Sequence, residues 1–365
     1  MSAALIDLVS VGAQDVYITG QPEVSFFRQN YKRHTNFSMK PERMDYIGTF
    51  AANNEVAIPI RSKGDLMSYI WIEATGIAAV QNNTTGLFSQ NAAAPTEFSL
   101  WIGGQKVSEL DSLFIQGVHN PLLRDSAAKA ASAVTTNNKK ANHGGDHYML
   151  PFFFGEDWTK CLPLVALQYH DVEIRIKCRD GFTPGSTPKV WGNYVYLDTE
   201  ERSFFTDNEH EILITQTQHQ LATKTDTEFD LSYFNHPVKS LHLVSGKATG
   251  NDWDSEFTFG KSSLYINGVA LFEETSPVYH HSVVPEMHST DLPDDILEDL
   301  PTFTWPFCVS LSKMQPTGTL NFSRIDNAKL TVTTPTGGNA LHRVYAVNYN
   351  ILRIKQGMGG VAFGN

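Results

Sequence analysis

The stretch Ser99-Leu100-Trp101-Ile102-Gly103-Gly104 reads as a strand that breaks at a glycine turn, and Ser263-Leu264-Tyr265-Ile266-Asn267-Gly268 repeats it class by class 164 positions later. Two further echoes keep the same order along the chain. Glu55-Val56-Ala57-Ile58 returns as Glu228-Phe229-Asp230-Leu231, 173 positions later. Pro163 followed by Leu167-Gln168-Tyr169 returns as Pro316 followed by Leu320-Asn321-Phe322, 153 positions later. Ordered echoes with a shrinking offset predict two tandem copies of one β-rich unit, the first with the longer loops, and not a solenoid of short repeats.

A chain of 365 residues has room for two domains that each bury a core. With 41% hydrophobic and 18% charged residues the composition is that of a globular protein. The formal net charge is −11 and the basic residues are scattered, apart from a short cluster at 28–33. A duplex-binding surface needs clustered cations, so direct binding of nucleic acid is not expected. Cys161, Cys178 and Cys308 are odd in number and lack C-x-x-C spacing, which predicts buried thiols of a reducing compartment. The N-terminal residues lack the basic start and apolar run of a signal peptide, and no stretch reaches the roughly 18 to 20 apolar residues of a membrane span. The sequons at Asn36, Asn82, Asn83 and Asn321 therefore carry little weight.

Strand patterns dominate, at 56–60, 69–73, 97–102, 172–177, 190–197, 211–217, 241–244, 263–266, 330–333 and 343–354. Helical patterning is confined to 21–31, 121–134 and 292–300. The expected class is all-β, two tandem eight-stranded antiparallel jelly rolls with a few short loop helices. The expected partition is an N-terminal arm at 1–23, a first jelly roll at 24–203, a second at 204–356 and a C-terminal tail at 357–365. The charged run Asp198-Thr199-Glu200-Glu201-Arg202-Ser203 divides the copies. The tail is too glycine-rich for a helix or a central strand.

Catalytic or metal chemistry finds little support. His143 and His147 have H-x-x-x-H spacing, but Gly144-Gly145 between them favours a loop over a helix that would align two ligands. His280-His281, Glu286 and His288 are close in sequence, yet adjacent side chains of an extended segment point apart. Asp291, Asp294, Asp295, Glu298 and Asp299 lack the glycine and ligand order of a calcium loop and read as a solvated helix capped near Ser289, Thr290 or Asp291. Asp45 with Asp65, or Glu200 with Glu201, supply carboxylates whose separation no pattern fixes. No nucleophile elbow, phosphate loop or zinc-protease motif occurs. Neither an enzyme nor a cofactor is expected. At 21–37, Phe26, Phe27, Tyr31 and Phe37 alternate with Arg28, Lys32, Arg33 and His34. Given the acidic chain, this pattern reads as a segment that seals one end of a sandwich, its cations turned to a neighbour or to anionic lipid, rather than a single-strand stacking platform.

The segment 12–20 with Phe26-Phe27 and Tyr31-Lys32-Arg33-His34-Thr35-Asn36-Phe37 resembles the N-terminal signature of the major capsid proteins of nucleocytoplasmic large double-stranded DNA viruses, algal-virus type. The segments 162–170 and 197–202, Phe234-Asn235-His236-Pro237 and 321–328 resemble that family's internal signatures. The ending 348–354 with Gly357-Met358-Gly359-Gly360 resembles its C-terminus.

The resemblance implies a double jelly roll that forms a homotrimer, a pseudo-hexagonal block tiling an icosahedral capsid. It implies partners among neighbouring trimers, minor capsid proteins and the internal membrane face, with a host glycan or receptor compatible with the outer loops. It places the protein in the virion capsid, made and assembled in the host cytoplasm. By position Phe26, Phe27, Arg28, Tyr31, Lys32, Arg33, Met358 and Phe363 become candidate basal or inter-capsomer contacts. A lower-copy capsid paralogue is the near alternative. A jelly-roll carbohydrate-binding or cupin-like protein is the distant one, although a cupin needs a spaced H-x-H motif that the chain lacks.

Overall fold

The computed structural model describes residues 3–77, 86–87, 93–126, 146–223, 225–247, 257–292, 302–336 and 340–364. The chain divides into two compact units, 1–36 and 37–365. The first unit holds two short helices, Ala3–Val9 and Val16–Thr19. The helix expected over 21–31 does not form, since Gln21 takes a positive φ of 51° and the segment beyond it runs as turns and irregular backbone. A short isolated helix is marginal in water without a packed face, and Phe26, Phe27 and Tyr31 are all exposed.

In the second unit the chain first lays down β1 (Phe37–Met44), β2 (Glu55–Ile60), β3 (Leu66–Ala74), β4 (Glu97–Ile102), β5 (Gln105–Asp111), β6 (Asp146–Leu150), β7 (Leu162–Pro163), β8 (Val172–Lys177) and β9 (Lys189–Leu197). These form two antiparallel sheets in the orders β1-β9-β3-β6 and β2-β8-β4-β5, with β7 beside β3. Then follow β10 (His210–Thr223), β11 (Glu228–Asp230), β12 (Pro237–Lys247), β13 (Ser262–Ile266), β14 (Val269–Thr275), β15 (Thr302–Pro306), β16 (Leu320–Asn321), β17 (Ala328–Val332), β18 (Ala340–Lys355) and β19 (Met358–Val361). Their sheets run β10-β18-β12-β15 and β11-β17-β13-β14, with β16 beside β12 and β19 beside β18. The second pair of sheets repeats the strand order of the first, so the chain is a double jelly roll.

Each expected strand is present, because alternation is strongest where one face is buried. In β2 and β4 every second residue is buried, Val56, Ile58 and Ile60 in one and Phe98, Leu100 and Ile102 in the other. The opening echo is the β4–β5 hairpin against the β13–β14 hairpin. Both turn through two residues of positive φ, Gly103 (58°) with Gly104 (80°) and Asn267 (48°) with Gly268 (82°). That is the requirement of a type I′ turn and the reason Gly and Asn stand there. The 55–58 and 228–231 echo falls on β2 and β11, which occupy equivalent places.

The proline echo is out of register. β7 with its 3-10 turn Leu164–Ala166 corresponds to β16 with the turn Phe322–Arg324, each beside the equivalent strand β3 or β12. Pro163 therefore answers to Asn321, while Pro316 lies in the preceding loop. The helix expected at 121–134 is replaced, as far as the described residues go, by a π-helical segment Ile115–Leu123 that follows an N-cap at Asp111. The helix expected at 292–300 lies outside the described residues except Leu292.

Candidate functional site: the seam and the assembly surfaces

The two sandwiches of the second unit share a seam that is polar, buried and specific. β5 ends at Asp111, whose carboxylate accepts from the Phe114 amide (2.7 Å), from the Tyr345 hydroxyl (2.8 Å) and from Arg343 Nη1 (3.0 Å). Arg343 and Tyr345 come from β18, so this network ties the first sandwich to the second. Both charged side chains are almost fully buried, 3% exposed at Asp111 and 5% at Arg343. Burial and the adjacent Asp111 charge push the Tyr345 phenol well above its ordinary pKa, keeping it a neutral donor. Alongside, Gln216 and Thr217 of β10 donate to the backbone carbonyls of Val107 and Glu109 on β5. Thr302 donates to the Gly117 carbonyl across the same junction. The apolar layer is continuous too, since Ile214, Val244, Tyr345, Val347, Leu352 and Ile354 belong to the core of the first sandwich.

The C-terminal tail closes this seam. β19 pairs with Leu352–Lys355 of β18, beyond the point where β12 leaves that strand at Asn348. The Tyr169 amide donates to the Gly357 carbonyl, and the Gly359 amide to His170 Nδ1. A Cβ at Gly357 would meet the Tyr169 ring at 2.5 Å, and one at Gly359 would meet Leu167 at 2.6 Å. Glycine is what lets the tail lie this close. Met358 and Phe363 point away, 49% and 59% exposed.

Between the sandwiches the connection forms a helix, Thr199–Asp207, N-capped by Asp198 with Glu200 and Glu201 in its first turn. Its Arg202 forms two close contacts with buried Asp65, Nε to Oδ1 at 2.9 Å and Nη2 to Oδ2 at 3.0 Å. Of the carboxylates that sequence leaves unplaced, Asp65 is thus an ion-pair partner and Glu200 and Glu201 sit in the first turn of a helix.

The histidines of 280–288 are structural. His280 is buried against Trp305 with ring centroids 4.4 Å apart, and its nitrogens reach the hydroxyls of Ser262 and Thr275 and the Thr304 carbonyl. His281 Nδ1 bonds to the Thr302 carbonyl and His288 Nδ1 to that of Cys308. Among the described residues no three His, Cys, Asp or Glu side chains gather as a metal site. His143 lies outside the described residues, as do Asp294, Asp295, Glu298 and Asp299. Cys161, Cys178 and Cys308 are free and buried, and burial pushes the first two thiols up to about 11.

Among the described residues, each sheet ends in two edge strands. β1 and β10 occupy equivalent edges, and so do β5 and β14. Within the chain the β5 edge is covered by β10. β14 keeps Val269 and Leu271 exposed, and β1 keeps Phe37 and Met39 half exposed. In the 1–36 unit, Phe26 and Phe27 are 92% and 97% exposed, and Tyr31, Arg28, Lys32 and Arg33 are exposed as well. Sequence reasoning missed β1 and β14 because exposed edges carry no alternation. Pro41 in β1 reinforced the omission, although proline is tolerated on an edge strand.

The fold and its locked seam define a double jelly-roll protein of the kind found in viral shells. Residues 25–198 match the family described as major capsid protein N-terminus, and residues 201–360 match the large eukaryotic DNA virus major capsid protein family. The major capsid protein of Pyramimonas orientalis virus is 31% identical over the whole of both chains, and that of Paramecium bursaria Chlorella virus 1 is 28% identical over the same extent. Among solved structures, PBCV-1 VP54 superposes with a TM-score of 0.76 at 24% identity, covering 93% of this chain and all of that one. The Faustovirus major capsid protein gives 0.71 at 10% identity, with 94% of each chain covered. The chain belongs to the major capsid protein family of large eukaryotic DNA viruses, and is a structural component of the virion capsid.

Proposed function

We propose that the protein works as a homotrimeric, pseudo-hexagonal capsomer that tiles an icosahedral shell, with assembly and no catalysis as its mechanism. The observation that carries this reading is the internal seam. β5 of the first sandwich meets β10 of the second, and the equivalent pair left over is β14 of the second sandwich and β1 of the first. Repeating the internal contact between chains joins β14 of one copy to β1 of the next, and three copies then close a ring of six sandwiches. Both edges carry charge: Glu273 and Glu274 lie on β14 and Lys40, Glu42 and Arg43 on β1, with Lys40 paired to Glu42 and Glu274 to Lys261 within the chain. In this scheme 24–203 and 204–356 are the two jelly rolls, 1–23 is the arm and 357–365 the tail.

Light scattering coupled to size exclusion tests the ring. The wild type is expected at about three times 40.6 kDa, and Leu271→Asp at one chain mass, because a carboxylate in a desolvated interface weakens each contact by about 100-fold or more. A monomeric wild type would remove the trimer, and a trimeric Leu271→Asp would remove β14 from its interface.

Phe26, Phe27, Arg28, Tyr31, Lys32 and Arg33, with Met358 and Phe363, form the basal contacts in this reading, the cations facing the anionic inner membrane. Each cation near such a surface contributes about 1 kcal/mol. Alanine at Arg28, Lys32 and Arg33 together is therefore expected to weaken binding to phosphatidylserine vesicles by about 100-fold. Unchanged vesicle binding would assign the cluster to an acidic minor capsid protein instead. Host glycan contact through the outer loops and assembly in the host cytoplasm complete the proposal, supported by family membership.

A further inference from the structure

The seam holds a partly open cavity of about 380 Å³ between the two sandwiches, within the size range of small-molecule sites. Its lining is mixed, with the buried rings of Phe114, Phe153 and Phe154 set beside polar and charged side chains. Into this space comes Lys239, 5% exposed. The residue sits where the β12–β18 register slips between Val238 and Ser240, and a bulge of this kind re-aims a side chain that a regular strand would place elsewhere.

Among the described residues the Lys239 ammonium has no hydrogen-bond or ion-pair partner; a Tyr349 ring lies with its centroid 6.0 Å away. Lys313 stands exposed at the rim, whereas charges deeper in the lining are already engaged. Glu156 accepts from Thr215 at 2.8 Å and pairs with Lys160 at 3.3 Å, and Arg124 donates to Asn120 at 3.0 Å. A buried unpaired cation is costly, and the fold keeps one at this cavity. Burial holds the Lys239 pKa below its ordinary value, with Glu156 opposing that shift. A bound anion would reverse it.

We propose that this cavity binds a single-headed amphipathic carboxylate, a fatty-acid-like monoanion whose head group pairs with Lys239 and whose apolar body lies along Phe114, Phe153 and Phe154. One buried unmatched cation suits a monoanion better than a dianionic phosphate. The three phenylalanine rings give a hydrocarbon body something to bury against.

Calorimetric titration of the full chain with dodecanoate, dodecanol and acetate, below micellar concentrations, tests the assignment. One dodecanoate per chain is expected, at least ~10-fold tighter than dodecanol, the effect of one charge-assisted hydrogen bond, with no measurable binding of acetate. Lys239→Met is expected to remove the preference for dodecanoate over dodecanol, whereas Lys313→Ala at the exposed rim keeps it. The comparison of the three compounds on the unaltered chain needs no variant, so a misfolded Lys239→Met leaves the test intact. Absence of dodecanoate binding, equal affinity for dodecanol, several molecules bound per chain, or an undiminished preference in folded Lys239→Met would each overturn the proposal.

Discussion

Replacing Asp111 by alanine is expected to lower the stability of the folded chain by about 3–5 kcal/mol, the usual cost of breaking a buried ion pair by removing one partner. The carboxylate serves three donors at once, the Phe114 amide, the Tyr345 hydroxyl and Arg343. Its loss leaves the 5%-exposed Arg343 side chain without its salt-bridge partner. It also removes the N-cap of the helical segment that begins at Ser112. Urea unfolding measures the effect as a fall in midpoint at unchanged slope. Asp111→Asn keeps the shape and an acceptor but not the charge, so its loss is expected to be smaller. Asp111→Leu combined with Arg343→Met is expected to recover part of the loss, since apolar residues of similar volume replace a buried pair at little cost. A fall below about 1 kcal/mol for Asp111→Ala would mean that the seam is held by its apolar layer alone.

That network shows what sequence can and cannot disclose. The two sandwiches were legible because the buried faces of β2, β4, β8 and β17 alternate, and because a two-residue hairpin turn demands Gly or Asn at fixed places. β15 was hidden for the opposite reason: all five of its residues are buried, so Thr302-Phe303-Thr304-Trp305-Pro306 shows no period. The seam was illegible because its partners are 232 and 234 residues apart, Asp111 with Arg343 and with Tyr345. No local pattern distinguishes an aspartate that caps and latches from one that is merely solvated. The candidate contact residues of the arm were visible as interleaved aromatics and cations, but the helix drawn through them was an error of period. A pattern can repeat at helical spacing without a surface to bury it. The tail shows the converse. Its glycines argued against a helix or a central strand, and the structure spends them on close approach at an edge.

Acidification is expected to destabilise the chain steeply between pH 6.5 and about 4, through four buried histidines. Burial lowers His119 and His242 to about 3 and His280 and His342 to about 4. The positive charge of Arg124 adds to the shift at His119 and that of Lys239 at His242, while the Thr304 carbonyl opposes it at His280 and Asp226 at His342. Above pH 6.5 these groups are neutral in both the folded and the unfolded chain and do not bias folding. Below it the unfolded chain binds protons that the folded chain refuses, so stability falls as the pH drops, until the folded values are reached. One such histidine contributes about 1.4 kcal/mol per pH unit. Four together approach roughly 5 kcal/mol per unit, which over two units is on the order of the whole stability of a domain. Urea midpoints at pH 7, 6 and 5 measure the slope directly. His342 is the residue to remove, because neither ring nitrogen has a partner among the described residues and its ring lies 4.1 Å from that of Phe257. His342→Phe is expected to raise stability at pH 5 more than at pH 7 and to reduce the slope by one proton's worth. A stability that stays level from pH 6.5 to 5, or a slope that His342→Phe leaves unchanged, would show that the folded chain takes up these protons as readily as the unfolded one.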